Sequence, residues 1–207
     1  MKSLLYCLLP VSVFCISCSS NETVSTPASE PEVAAPVVTD SATAVANWMA
    51  YGVPGDMHRM LAARAGKWRV QILSPSPDGA VVETGTVTAQ YTMVLGGRYL
   101  QAMYNGTMMG QPFESTGLTG YDNSKKVFID TWADNMGTGI IVLEGSYDAA
   151  TRTLETKGTA VDPINNGTCG MRQVLRTIDD NHMVMEMFTT PLGATEVKTM
   201  VMEYERM

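Results

Sequence analysis

From Trp68 to Glu205 apolar and polar residues alternate with a period of two. In residues 85–95 the odd positions read Gly, Val87, Ala89, Tyr91, Met93 and Leu95, and the even ones Thr86, Thr88, Gln90, Thr92 and Val94. One apolar face and one wet face is the pattern of half-buried antiparallel strand. Nine turn signals divide the stretch: Asp78-Gly79, Gly96-Gly97, Gly110 before Pro112, Asp122-Asn123-Ser124, Gly137-Thr138-Gly139, Asp148-Ala149-Ala150, Asp162 to Gly167, Asp179-Asp180-Asn181 and Pro191-Leu192-Gly193. They separate about ten strands at spacings typical of all-β folds. Connections this short favour an up-and-down meander. An open meander of ten strands leaves two long edges, and closure removes both. The pattern therefore predicts a closed antiparallel barrel, with an open sandwich as the alternative.

Ahead of the strands the period differs. Met57, Met60 and Leu61 recur at helical spacing after Asp56, a suitable N-cap, and Gly66 ends the run. This predicts one short helix, placed to plug an end of the barrel. Trp48 to Tyr51 lead into it, and the domain is read as residues 48–207.

Residues 1–17 read as a secretory signal. Met1-Lys2 is basic, and Leu4 to Phe14 is apolar but too short to span a bilayer. Small Ser17 precedes Cys18, as in bacterial lipoproteins, whose cleaved chain begins at a lipidated Cys. Cys15 departs from the usual Leu of that motif. More than one acyl chain would anchor the protein stably, at about 0.8 kcal/mol per buried CH₂. Ser19 rather than Asp after the lipid Cys implies export to the outer membrane, on its periplasmic face. Residues 18–47 then form a tether, rich in Ser, Thr, Pro, Ala and Glu, without Lys or Arg and without hydrophobic period. A flexible chain of about 29 residues spans roughly 30 Å.

Lys plus Arg is 14 and Asp plus Glu 21, a net charge of −7. With no basic cluster the chain is not read as a nucleic-acid binder. Of four cysteines only Cys169 falls in the barrel, so no internal disulfide is possible there. It reads as a small buried apolar residue.

Gly66-Lys67-Trp68 resembles the Gly-x-Trp that opens lipocalin-type barrels. Residues 56–207 resemble, more specifically, an uncharacterised bacterial domain-of-unknown-function family with a lipocalin-like barrel. The resemblance rests on Asp56-Met57-His58, Gly66-Lys67-Trp68, Leu95 to Leu100, Met108 to Glu114, Gly117 to Asn123 and Trp132 to Gly139. It implies a cup but brings no reaction. In the lipocalin-like superfamily an Arg near the C-terminus packs over the first-strand Trp, which implies that Arg206 covers Trp68 and joins the last strand to the first. Such a cation–π contact is worth about 0.5–2 kcal/mol.

Candidate chemistry is sparse. With only His58 and His182, a zinc site has too few imidazoles, and no metal is assigned. Some related barrels hold haem through one His, but His182 beside the Asp-Asn turn reads as a turn residue, and no cofactor is assigned. There is no Gly-x-Ser-x-Gly elbow, and Gly137-Thr138-Gly139 is too short for a phosphate loop. Phe128, Asp130, Trp132 and Asp134 share a strand face, an unusual mixture that reads either as a solvent face with one stray aromatic or as a pocket wall with polar fixtures. Asn135 reads as a residue satisfying backbone groups in its turn. Arg172 shares a face with Arg176; it either resembles the Arg that holds a carboxylate in fatty-acid-binding barrels or stands at a solvated rim. Glu186, between Val184 and Phe188, would need an Arg partner if buried. Sixteen methionines, with Met183, Met185 and Met187 alternating on one strand and Met200 and Met202 on the last, suit either a lining that adapts to apolar shapes or ordinary filling of the core.

These features name Tyr104, Trp132, Asp134, Arg172, Met185 and Glu186 as ligand-site candidates, Cys18 as the lipidation site, and Trp68 and Arg206 as the closure. The first functional expectation is a membrane-tethered barrel for a small apolar or amphipathic ligand. The alternatives are an enzyme using Asp134 or Glu186 as acid or base, and a structural module of the envelope with a filled interior.

Overall fold

Ten antiparallel strands each pair with their chain neighbours, and the last pairs with the first. The computed structural model describes residues 40–76 and 80–207. The signal segment, Cys18, the tether as far as residue 39 and the Asp78-Gly79 turn lie outside them. The strands are β1 (Gly66–Pro75), β2 (Val81–Val94), β3 (Tyr99–Met108), β4 (Gln111–Asp122), β5 (Val127–Asp134), β6 (Ile141–Asp148), β7 (Thr153–Asp162), β8 (Gly167–Thr177), β9 (His182–Thr190) and β10 (Val197–Arg206). This is the closed up-and-down barrel that the alternation predicts, and the eight described turns lie at the predicted places. The sheet has no free edge, which answers the edge problem posed by the sequence.

Local chemistry makes the turns. Asp122 Oδ1 accepts from the backbone N–H groups of Ser124 and Lys125 at 2.7 and 2.9 Å, and Asp162 Oδ1 does the same for Ile164 and Asn165. Asp148 Oδ1 accepts from Ala150 N. The loop residue before the next strand has positive φ in all three turns: Lys126, Arg152 and Asn166. Between β3 and β4 a two-residue loop puts both Met109 (φ 52°) and Gly110 (φ 73°) in the left-handed region, as a tight hairpin needs. Asn135 Nδ2 donates to Pro112 O and its Oδ1 accepts from Glu114 N, so it serves backbone groups as expected.

Two helices precede the barrel rather than one: α1 (Ser41–Tyr51) and α2 (Asp56–Ala62). The predicted tether therefore runs seven residues too far, because residues 41–47 belong to α1. Asp40 caps α1 by accepting from Ala42 N and Thr43 N at 3.1 and 3.0 Å. No residue of α1 is buried, so the hydrophobic periodicity that reveals α2 is missing from it. The N-cap of α2 is Gly55, one residue before the predicted Asp56. His58 Nδ1 accepts from Gly55 N at 3.0 Å, which leaves its imidazole as an acceptor in the first turn.

α2 buries Leu61 and His58 and packs against β2, β3 and β4, so it closes one end of the barrel. Beneath it Trp68, Val70, Ile72, Phe128 and Met183 are almost fully buried. Trp68 Nε1 donates to Arg64 O at 3.0 Å and ties the helix exit to β1. Across the β1–β10 seam Trp68 is the register partner of Arg206, whose guanidinium carbon stands 4.1 Å from the Trp68 ring. The implied clasp is present.

Candidate functional site

Strand parity decides what lines the interior. Even residues of β1, β3, β5, β7 and β10 and odd residues of β2, β4, β6, β8 and β9 point inward, and those of the middle and far end surround a cavity of about 170 Å³. It runs from Arg64, under α2, to Met108, Asp134 and Met200 near the opposite end.

The end beneath α2 is polar. Tyr91, Tyr104 and Tyr204 bring three phenols together: Tyr91 Oη and Tyr104 Oη are 2.6 Å apart, and Tyr104 Oη and Tyr204 Oη 3.1 Å. Tyr204 Oη also donates to Met202 Sδ at 3.7 Å. Burial holds all three phenols above their ordinary pKa, Tyr104 and Tyr204 well above, so they stay protonated and neutral. Asp130 faces the same space. Thr119 Oγ1 donates to its Oδ1 at 2.7 Å and Gln173 Nε2 to its Oδ2 at 3.4 Å. Burial raises the Asp130 carboxyl above the usual range, against the opposing pull of those two bonds and of Arg64. Arg64, 3% exposed, comes from the chain just beyond α2, and burial lowers its pKa below that of an ordinary guanidinium.

Above this floor the walls are apolar and soft. Met185, Met187, Met200 and Met202 come from β9 and β10, and Leu100, Phe113, Leu143 and Leu154 from the facing strands. Trp132 packs edge-on to Tyr104, with ring centroids 5.0 Å apart. Its Nε1 donates to Asp134 Oδ2 at 2.8 Å, and Asp134 Oδ1 accepts from Met136 N at 2.9 Å. Asp134 thus anchors the Trp132 ring in the cavity wall and shapes the turn after β5.

Of the six sequence candidates, Tyr104, Trp132, Asp134 and Met185 line the cavity together. Arg172 and Glu186 lie on the outer face of the barrel. Arg172 sits between inward Met171 and Gln173, so its side chain points out, where it grips Glu196 and lies 4.0 Å from the Phe188 ring centroid. Glu186, between inward Met185 and Met187, pairs with Lys198 rather than with an Arg. Arg176 shares the outward parity of Arg172.

Sequence reasoning missed Arg64, Tyr91, Tyr204, Gln173 and Thr119, and noticed Asp130 only as a neighbour of Trp132. Arg64 had a legible signal, because residues 57, 60, 61 and 64 fall on one helical face and Arg64 continues the apolar stripe. Cys169 is a buried free thiol, as expected, near Ala160 O. No group of three or more metal-ligating side chains occurs among the described residues.

Solved structures share this architecture. Rv2717c from M. tuberculosis aligns with a TM-score of 0.57 at 13% identity over 75% of this chain and 99% of its own. The S-type phycobiliprotein lyase CPES from Guillardia theta aligns with a TM-score of 0.53 at 9% identity, over 73% of this chain and 92% of its own. At such identities the likeness is one of fold. No curated protein matches the sequence. A family model described as a protein of unknown function (DUF1579) matches residues 53–206, and the chain belongs to that family.

Proposed function

We propose that this DUF1579 member binds a small apolar or amphipathic molecule inside its barrel and is held at the cell envelope by lipid on Cys18. The observation that carries the first part is the cavity of about 170 Å³, with methionine and aromatic walls and a polar floor. Methionine side chains adapt their shape at little cost, and convergent polar groups in an apolar cup fix a ligand's orientation. A structural module with a filled interior does not match that space. Native mass spectrometry of the purified protein should show co-purified ligand, and a hydrophobic dye should bind and be displaced by it. Absence of both would end the binding reading.

The envelope reading is supported by the sequence: the apolar run Leu4 to Phe14 followed by Ser17-Cys18, and a tether long enough to hold the barrel off a bilayer. Ser19 after the lipid Cys favours the periplasmic face of the outer membrane. Mass spectrometry of the N-terminus should find an acylated Cys18, and Cys18→Ala should leave the membrane fraction. An uncleaved N-terminus in the membrane fraction would refute the lipoprotein reading.

One observation favours a second reading. Asp130, raised by burial and facing the cavity, is placed to exchange a proton with a bound molecule, as an enzyme's acid or base would. This moves the catalytic alternative away from Asp134, which anchors Trp132, and Glu186, which faces outward. It requires that Asp130→Asn keep ligand binding yet abolish any turnover of the bound molecule. Equal turnover by both forms would remove Asp130 as acid or base.

A further inference from the structure

Arg64 is buried, and its Nε and Nη2 have no hydrogen-bond partner among the described residues. Those two atoms form one edge of the guanidinium, the edge that matches the two oxygens of a carboxylate. The same protein shows that edge in use. On the outer face Arg172 Nε donates to Glu196 Oε2 at 3.0 Å and Nη2 to Oε1 at 2.6 Å. Inside the barrel nothing does for Arg64 what Glu196 does for Arg172. The charge of Arg64 acts on Tyr91, Tyr147, Asp130 and Tyr204, so the guanidinium lies on the interior side of the helix plug.

Asp130 does not fill the role. Its two oxygens accept from Thr119 and Gln173, and no ion pair among the described residues joins it to Arg64. Three hydroxyl protons serve two contacts among Tyr91, Tyr104 and Tyr204, and the third is spent on the sulfur of Met202, a weak acceptor. The floor of the cup therefore holds a buried cation with two unused donors and a hydroxyl proton spent on a weak acceptor. A buried charge without a partner is costly to keep. A ligand acceptor of negative charge would relieve that cost.

We propose that the cup takes a small monocarboxylate with an apolar tail. The proposal rests on the ligand-binding reading above and names the class of ligand. The carboxylate pairs with the Arg64 guanidinium beside the tyrosines, the enclosed Nε–Nη2 edge turning into the cavity to receive it, and the tail lies along Met185, Met187, Met200 and Trp132. A planar two-oxygen group matches the two-donor edge. A phosphate dianion would bring two negative charges beside Asp130 against a single Arg.

The test compares three probes of one tail length on the purified, lipid-stripped protein by isothermal titration calorimetry: decanoate, 1-decanol and decylamine. Decanoate should bind at least about tenfold more tightly than 1-decanol, the scale of a charged hydrogen-bond pair, with decylamine weakest. Arg64→Met should bring decanoate down to the level of 1-decanol and leave 1-decanol itself nearly unchanged. Arg64→Lys, which keeps the charge but loses the fork, should keep only part of the preference. Equal binding of decanoate and 1-decanol by the native protein overturns the carboxylate inference and leaves the binding reading standing, whether or not either variant folds. A preference for decylamine, or an undiminished preference for decanoate in Arg64→Met, also overturns it. Failure of all three probes together with a hydrophobic dye overturns both readings.

Discussion

The guanidinium of Arg206 stands 4.1 Å from the Trp68 ring, and the same side chain donates to Ala63 O, Ala65 O and Asp180 O at 3.0, 2.7 and 2.7 Å. One residue at the end of β10 thus holds β1, the exit of α2 and the turn between β8 and β9. Trp68, 1% exposed, should cost about 3–5 kcal/mol when cut to Ala. A double-mutant cycle of Trp68→Ala and Arg206→Ala by urea denaturation should show a coupling of about 0.5–2 kcal/mol. Simple additivity would mean that the stacked pair contributes nothing beyond its separate contacts.

Gly66 makes room for that clasp. It has φ 131°, and a Cβ there would stand 2.7 Å from Arg206 Nη1. Gly66→Ala should therefore destabilise the barrel by more than about 1 kcal/mol. In an Arg206→Ala background the same change should cost less, because the steric part is gone and only the backbone strain remains. An equal cost in both backgrounds would show that Arg206 does not press on this position.

Arg64 is placed at the expense of stability. Burial penalises its charge, and its fork is unpartnered. Arg64→Met keeps the backbone carbonyl that receives Trp68 Nε1 and replaces the charge by an apolar chain of similar length. The ligand-free variant should be as stable as the native protein or more stable, by about 1–4 kcal/mol. Clear destabilisation in thermal and urea unfolding would mean that the guanidinium has partners inside the native fold.

Asp130 makes stability depend on pH in a defined direction. Its pKa is raised above 3.8 by folding. Well below 3.8 the group is neutral in both states and contributes nothing. As pH rises through 3.8 the unfolded chain releases the proton first, so the fold loses stability until the pH passes the raised native value, and the loss is constant above that. Asp130→Asn still offers an oxygen to Thr119 and cannot ionise. The stability of the variant relative to the native protein should grow with pH across that window and then level off. Urea denaturation from about pH 3 to pH 7 measures it, and parallel profiles would show that Asp130 titrates alike in both states.

Much of the barrel is legible in the chain because its signals are local. A strand buried on one face must alternate, so Val87, Ala89 and Tyr91 face the interior in the structure as their spacing predicts. Turns are marked by Asp side chains that accept from backbone N–H groups and by Gly at tight hairpins, so their positions are written in the residue types. The Met183, Met185 and Met202 positions are buried for the same reason of parity. Parity fails where both faces carry apolar and polar groups. In β8, Met171 and Gln173 alternate with Arg172 and Val174, and nothing local says which pair is inside. Pairing with β7 and β9 decides it, and sends Arg172 out to Glu196.

The sequence by itself determined the barrel and the methionine lining, because period, turn chemistry and chain order are properties of neighbouring residues; the closing pair of Trp68 and Arg206 was implied only by the family resemblance. The tertiary structure alone decided the polar floor. Arg64, Tyr91, Tyr104, Asp130 and Tyr204 come from the helix exit and from four strands, and no spacing along the chain relates them. They meet because closure brings β10 back to β1 and α2 docks over the mouth, which buries a guanidinium whose helical position alone marks only the stripe it extends.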